Sequence, residues 1–120
     1  MIPIIFGISG TKLTQEELDL FKVHQVAGFI LFSRNVESRG QVIELTNMLK
    51  GLYSEREVPI FVDQEGGRVA RIKPPIAARL YPSDEHFSNI YNDDRLRAKL
   101  ELKANYIQLM SELKELGIDS

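Results

Sequence analysis

Two carboxylates stand close together directly after a short apolar run in the middle of the chain. Asp63 and Glu65 follow the run 59–62 and are separated by one residue. If the extended backbone continues through them, both side chains share a side, because alternate residues of a strand face the same way. A carboxylate pair is the arrangement that most glycosidases use. The alternative is structural, since such an aspartate also caps a turn or pairs with an arginine, and Arg68 and Arg71 are near in sequence.

The loop after these carboxylates is rich in glycine and positive charge. Gly66 and Gly67 permit either a tight turn with positive φ or a close approach of backbone amides to a ligand. Cationic side chains follow at Arg68, Arg71, Lys73 and Arg79. They make a phosphate or carboxylate group a reasonable partner for this loop. The residues alone therefore leave sugar binding, anion binding and a structural role open.

Other kinds of site lack the residues that they need. The segment 7–10 does not contain the third glycine of the dinucleotide-binding fingerprint, and no Walker-type phosphate loop is present. His24 and His86 have no second histidine or paired carboxylates at metal-ligand spacing, so both are expected at the surface. No serine has the context of a nucleophile elbow. We expect neither a metal nor another cofactor.

Three apolar runs predict the strands that position these residues. The runs cover 4–8, 28–32 and 59–62, and the segments between them have helical periodicity. This order predicts right-handed βαβ units and hence a parallel sheet covered by helices. Ligands of such folds bind at the carboxyl ends of the strands, so Arg34 and Asn35 are expected to share a face with the carboxylates. Three strands fit both a closed barrel and an open sheet.

Capping signals predict where the first two helices begin. Thr14 and Glu17 have the spacing of a capping box, which predicts a helix over 15–25. Ser38 and Gln41 repeat that spacing before a second helix. The apolar stripe of this second helix is expected at Val42, Leu45, Leu49 and Leu52.

A longer helix is predicted near the end of the chain, over 94–116. Gly117 suits the left-handed position that ends a helix, and Ile118 completes the cap. The apolar face of this helix is expected to consist of Leu96, Leu100, Ala104, Ile107 and Met110.

Composition and length exclude several classes of protein. The 120 residues are 43% hydrophobic and 27% charged, which is typical of soluble globular proteins. A net charge of -2 gives no strong field for nucleic acid or an anionic membrane, and no apolar run reaches the ~20 residues of a membrane span. Cysteine is absent, so a reducing compartment is permitted and the cytoplasm is the expected location.

Two segments carry a family resemblance. Gly28-Phe-Ile-Leu-Phe-Ser-Arg-Asn35 and Val62-Asp-Gln-Glu-Gly-Gly-Arg-Val-Ala-Arg71 resemble bacterial β-N-acetylhexosaminidases of glycoside hydrolase family three. The similarity runs through the whole chain and covers about the first third of such an enzyme. It implies a barrel of the TIM type, (β/α)8, of which residues 1–120 form the first three βα units. The stretch 73–76 departs from the glycine-rich segment that relatives usually carry.

The resemblance also implies an activity and a substrate. These enzymes remove terminal β-linked N-acetylglucosamine, notably from muropeptides during cytoplasmic recycling of the cell wall. By resemblance, Asp63 accepts hydrogen bonds from sugar hydroxyls and Arg71 contacts the substrate. Glu65, Gly66–Gly67 and Arg68 then organise the loop.

The catalytic residues of the family match nothing in this sequence. The resemblance implies an aspartate nucleophile and a histidine acid/base, and neither His24 nor His86 corresponds to the latter. We therefore expect the chain to bind sugar without hydrolysing it alone. A partial barrel exposes a sheet edge and apolar stripes, so self-association or a complementing chain is expected. Two alternatives remain, a non-catalytic sugar-binding or scaffold module and a phosphate-binding α/β module.

Overall fold

Three parallel strands form the central sheet of the computed structural model, which describes residues Met1–Ser120. The strands are adjacent in the order β1-β2-β3, as the sequence predicts. A small antiparallel hairpin, β4–β5, follows the third strand. The elements are β1 Ile2–Gly7, α1 Gln15–Val23, β2 Val26–Leu31, a short 3-10 turn Ser33–Asn35, α2 Arg39–Lys50, β3 Ile60–Val62, β4 Gln64–Gly66, β5 Val69–Ala70, α3 Asp84–Asp93 and α4 Arg95–Glu115.

The register of the sheet separates its side chains into two faces. Phe6 pairs with Phe29, and Phe29 pairs with Ile60, so these three share one face, which is the buried one. The next row contains Ile30 and Phe61, which lie on the opposite face and are only partly buried. In these two rows, one face of the sheet is therefore more deeply buried than the other.

The helices pack on a single face of the sheet. Buried side chains of three helices join the buried strand residues in one hydrophobic cluster: Phe21 from α1, Val42, Leu45 and Leu49 from α2, and Leu109 and Leu113 from α4. The opposite face leaves Ile5 exposed and no helix covers it. The expectation of a sheet covered by helices therefore holds for one face only.

Local hydrogen bonds fix the starts of the first two helices. Thr14 Oγ1 accepts from the Glu17 amide at 3.1 Å and Glu17 Oε2 accepts from the Thr14 amide at 2.9 Å, which completes the predicted capping box. Ser38 Oγ accepts from the Gln41 amide at 3.2 Å. The Gln41 side chain does not return this bond, because its Oε1 accepts from the Glu37 amide at 2.8 Å. The second box is therefore half formed.

The last helix ends as the sequence predicts. Gly117 has a φ of 79°, and its amide donates to the Lys114 carbonyl at 2.9 Å. The Ile118 amide donates to the Leu113 carbonyl at 2.9 Å, which is the Schellman arrangement. Both Leu113 and Ile118 are buried, so the cap also anchors this end of α4 to the core.

The predicted apolar face of α4 is wrong at every position except Met110, which is partly buried and packs against the core. Leu96, Leu100 and Ile107 are 69%, 60% and 60% exposed. The buried positions are instead Ala98, Asn105, Leu109 and Leu113. There are two reasons for the difference. The helix α3, which was not predicted, packs against α4, and the anchored end of α4 sets which side of the helix meets the core.

None of the helices is both long and apolar enough to cross a membrane.

The free edge of β3 receives the last residue of the sequence. The Ser120 amide donates to the Ile60 carbonyl at 3.3 Å, and the Val62 amide donates to the Ser120 carbonyl at 2.8 Å. This is the pattern of a parallel pair in which Ser120 lies beside Phe61. Asp119 supports it by accepting from the Ile60 amide at 2.9 Å.

Candidate functional site

Asp63 and Arg71 meet at the open end of the hairpin that follows β3. Asp63 comes directly after β3, and the hairpin pairs Gln64 with Ala70. This pairing brings together residues that are eight positions apart, and Arg71 Nη2 lies 3.3 Å from Asp63 Oδ2. The two substrate-binding residues that the resemblance implies are therefore in contact.

This ion pair leaves much of its hydrogen-bonding capacity unused. The side chains of Arg71 and Asp63 are 31% and 43% exposed, and the single bond between them is long. Arg71 Nε is buried without an acceptor, while a carboxylate has room for about four hydrogen bonds. An exposed pair of this kind adds at most about 1 kcal/mol to stability. The exposed atoms of the pair can therefore still bind a ligand that carries hydroxyl groups.

Glu65 does not take part in this contact. It lies on the exposed side of β4, where it alternates with the buried Gln64 and Gly66. It lines an open cleft of about 390 Å³ together with Arg68 and the start of α3. Neither Glu65 nor Arg68 forms an ion pair or a side-chain hydrogen bond, so their loop-organising role stays a prediction.

The two glycines of the hairpin are required by its geometry. Gly66 and Gly67 have φ values of 91° and 57°, which side chains rarely adopt. A Cβ atom on Gly66 would lie 2.1 Å from the Pro82 carbonyl oxygen. The Gly67 amide donates to the Tyr81 carbonyl at 2.9 Å. The close approach is therefore made to the protein's own backbone, and it holds the hairpin against the segment that precedes α3.

The residue that closes the hairpin, Gln64, was missed by the sequence analysis. Its Oε1 accepts from the Arg71 amide at 2.8 Å and from the Ile72 amide at 3.0 Å. Its Nε2 donates to the Ile72 carbonyl at 2.7 Å. The available signal was its position between two exposed carboxylates on a strand, which turns it inward, where a polar side chain needs partners.

Arg34 and Asn35 hold a neighbouring loop instead of joining Asp63. Asn35 is fully buried, and its Nδ2 donates to the carbonyls of Ile8 at 3.1 Å and Gly10 at 2.7 Å. Its Oδ1 accepts from the Phe32 amide at 2.8 Å. Arg34 Nε also donates to the Ile8 carbonyl, at 3.0 Å. Both side chains are therefore hydrogen-bonded to the loop that directly follows β1.

Glu17 completes the support of that loop. Besides closing its capping box, it accepts from the Ser9 amide through Oε1 at 2.7 Å. Partial burial raises the pKa of the Glu17 carboxyl, but the hydrogen bonds from Thr14 and Ser9 outweigh it and leave this pKa below the ordinary value of a glutamate. The carboxylate is the form that these amides stabilise.

The cations of the predicted basic loop are dispersed. Arg71 is paired with Asp63, and Arg79 lies over the Tyr81 ring at 4.8 Å. Arg68 shares its cleft with three carboxylates, Glu65, Asp84 and Glu85. This distribution does not favour a phosphate site. His24 and His86 are exposed, as expected.

Known proteins match this chain over part of their length. No protein-family model matches it. The beta-hexosaminidase of Xanthomonas axonopodis pv. citri (strain 306) is 37% identical over 116 residues, covering 97% of this chain and 34% of that protein. The beta-hexosaminidase of Xylella fastidiosa (strain 9a5c) is 37% identical over 117 residues, with the same coverage of 97% and 34%. The chain spans about a third of the length of the curated relatives it matches.

Solved structures agree with these sequence matches. NagZ from Neisseria gonorrhoeae, in complex with N-trifluoroacetyl-D-glucosamine, has a TM-score of 0.89 at 31% identity and covers 98% of this chain and 34% of that one. A glycoside hydrolase family 3 beta-N-acetylglucosaminidase from Paenibacillus sp. str. FPU-7 has a TM-score of 0.77 at 26% identity, covering 95% of this chain and 21% of that one. The resemblance is confirmed: the chain matches the amino-terminal region of these enzymes, and it has the mixed α/β fold of that region.

Proposed function

We propose that this chain is the sugar-binding, amino-terminal part of a β-N-acetylhexosaminidase of glycoside hydrolase family three, the enzymes whose amino-terminal third it matches. The observation that carries the proposal is the Asp63–Arg71 pair, which lies at the carboxyl end of β3 with unused hydrogen-bonding capacity. Ligands of β/α folds bind at this end of the strands. Asp63 and Arg71 are also the residues to which the resemblance assigns substrate contacts.

The chemistry of the pair fits a sugar. The Asp63 carboxylate can accept hydrogen bonds from two neighbouring hydroxyl groups, while the Arg71 guanidinium donates to a further ring substituent. Hydrogen bonds to charged groups contribute roughly 1.5 to 3 kcal/mol each. The Neisseria relative was solved with an N-acylated glucosamine, which supports N-acetylglucosamine as the ligand class here.

We propose that the parallel sheet belongs to a barrel. The strand order β1-β2-β3 has no reversal, and the helices cover one face only. An open, doubly wound sheet carries helices on both faces. In a barrel the bare face, with Ile5, Ile30 and Phe61, would point to the interior, and Ser120 would lie in the fourth strand. Residues 1–120 then supply the first three βα units of the catalytic barrel.

The exposed apolar side chains of α4 and β1 need another protein surface to pack against. Leu96, Leu100 and Ile107 on α4 and Ile4 and Ile5 on β1 are exposed. We propose that further βα units cover them, either in the same polypeptide or in a complementing chain, with self-association as the alternative.

Catalysis would depend on those further units. The family's nucleophile and acid/base match no residue of 1–120, so this part of the protein would bind the sugar without hydrolysing it alone. The cytoplasmic location and the recycling of muropeptides rest on the resemblance alone.

A substitution at Asp63 tests the proposed function. Asp63→Ala removes the acceptor for the sugar hydroxyls and is expected to weaken N-acetylglucosamine binding at least about tenfold, as measured by calorimetry or by NMR titration. The exposed Asp93, at the end of α3, provides the control variant Asp93→Ala, whose affinity should equal that of the wild type. Unchanged sugar affinity in Asp63→Ala would contradict the proposal. Binding of inorganic phosphate that survives the substitution would favour the phosphate-binding alternative.

A further inference from the structure

We infer that Gln64 is a positioning residue that sets the orientation of Arg71 relative to Asp63. The inference deepens the proposed sugar-binding function and rests on it for its functional consequence. Gln64 is adjacent to Asp63 in the chain and is hydrogen-bonded to the backbone of Arg71. The residue that follows Asp63 in the chain therefore holds the backbone of Arg71 through its buried side chain.

Arg71 is held much more firmly by its backbone than by its guanidinium. The guanidinium makes a single 3.3 Å bond to Asp63, and its Nε has no acceptor. The Arg71 amide, in contrast, donates to Gln64 Oε1 at 2.8 Å. The contact to Gln64 therefore fixes the position of the Cα from which the Arg71 side chain reaches Asp63.

Gln64 also ties the hairpin to the core. Ile72 is buried in the main hydrophobic cluster, and both its amide and its carbonyl bond to the Gln64 side chain, at 3.0 Å and 2.7 Å. Arg71 lies between this anchored residue and the hairpin strand that ends at Ala70. Its backbone is therefore fixed on both sides by contacts that depend on Gln64.

Only a glutamine meets all of these requirements. The position needs an oxygen that accepts from two amides and a donor for one carbonyl, at the end of a side chain of this length. Glutamate keeps the acceptor but loses the donor and brings a charge to a residue that is 8% exposed. Leucine keeps the approximate volume and leaves the amides of Arg71 and Ile72 without a partner.

The test compares Gln64→Leu and Gln64→Glu with the wild type and with a remote control. Thr46 is also fully buried, and its Oγ1 donates to the Leu116 carbonyl at 2.8 Å, so Thr46→Val removes a buried hydrogen bond far from the hairpin. Affinity for N-acetylglucosamine is measured under conditions in which every variant is folded. We expect Gln64→Leu to bind roughly tenfold more weakly, Gln64→Glu to lie between it and the wild type, and Thr46→Val to bind normally. Equal affinity in all folded variants would overturn the inference.

Hydrogen exchange provides a readout that does not require the sugar. The amides of Arg71 and Ile72 should lose at least about tenfold in protection in Gln64→Leu, while the Phe29 amide in β2 keeps its protection. Unchanged protection at Arg71 would also overturn the inference. If the wild type itself does not bind N-acetylglucosamine, the proposed function fails, and the exchange data alone decide whether Gln64 holds Arg71.

Discussion

The loop after β1 and the hairpin after β3 both follow a strand of the central sheet at its carboxyl end, but their polar side chains are bonded to different degrees. The first loop is held by Asn35, Glu17 and Gln41, each of which bonds to its backbone. The hairpin is held by Gln64, while Asp63 and Arg71 share one long bond and remain partly exposed.

This difference separates scaffold from binding surface. A polar group that is already satisfied gains little from a ligand, because it must first give up its protein partner. An exposed group with unused capacity gives up only water when a ligand binds, so it keeps more of the new interaction. The difference is consistent with our proposal that the hairpin binds the sugar, and it suggests a supporting role for the first loop.

The largest expected effect comes from the glycine at the hairpin turn. Gly66→Ala would require a positive φ and would bring Cβ to 2.1 Å from the Pro82 oxygen, so we expect a loss of about 3 kcal/mol in the free energy of unfolding. Gly10→Ala in the first loop is the matched control. No atom lies within 4 Å of its added Cβ, so its effect should stay within about 1 kcal/mol. Urea unfolding measures both, and similar losses in the two variants would contradict the comparison.

The second largest effect is expected for Asn35, and it tests whether the first loop is a scaffold. Asn35→Leu leaves the Phe32 amide and the Gly10 carbonyl without their side-chain partner, which should lower the free energy of unfolding by about 2 kcal/mol. The folded fraction should bind N-acetylglucosamine normally, the reverse of the result expected for Asp63→Ala. Asn47 on α2 is exposed, so Asn47→Leu is the control for the change in side-chain type. Reduced affinity for N-acetylglucosamine in folded Asn35→Leu would contradict the assignment of the first loop as scaffold.

The smallest effect is the pH dependence that Glu17 gives to the first loop. Its pKa in the folded protein is lowered, because the hydrogen bonds from Thr14 and Ser9 outweigh its partial burial. The carboxylate therefore stabilises the fold above the unfolded pKa, and this contribution is lost as the pH falls through the lower folded value. It should be below about 1 kcal/mol, since the group is largely open to solvent.

The variant Glu17→Gln isolates this contribution. Thermal melts at a series of pH values should show a stability difference from the wild type at neutral pH that shrinks as the pH falls from the ordinary pKa of a glutamate through the lower folded value. The wild type and Glu17→Gln should converge in acid. A difference that stays constant with pH would show that the carboxylate charge plays no part in holding the loop.

Local spacing was sufficient for several features of the fold. The capping box of Thr14 and Glu17 and the left-handed Gly117 follow from residues within one helical turn, and both are present. The three strands of the sheet were also predicted, with boundaries that differ by one or two residues. The apolar face of α4 was not, because leucines occur on more than one side of that helix and only packing selects the side that is buried.

Local spacing was likewise not sufficient to predict the contacts of the candidate site. The sequence identified Asp63 and Arg71 through the resemblance, but it did not show that Gln64 holds the backbone of Arg71 or that Arg68 lines a separate cleft. Those contacts depend on the closure of a hairpin that α3 and the core hold in place.

The sequence by itself determined the three strands of the sheet, the helices α1, α2 and α4, the caps at Thr14 and Gly117, and the charged residues after β3, because each depends on neighbours a few positions away. Tertiary structure alone decided which cation pairs with Asp63, which side of α4 is buried and which loop is fully bonded. These outcomes depend on groups that are distant in the chain and meet only when the hairpin, α4 and the sheet have packed together.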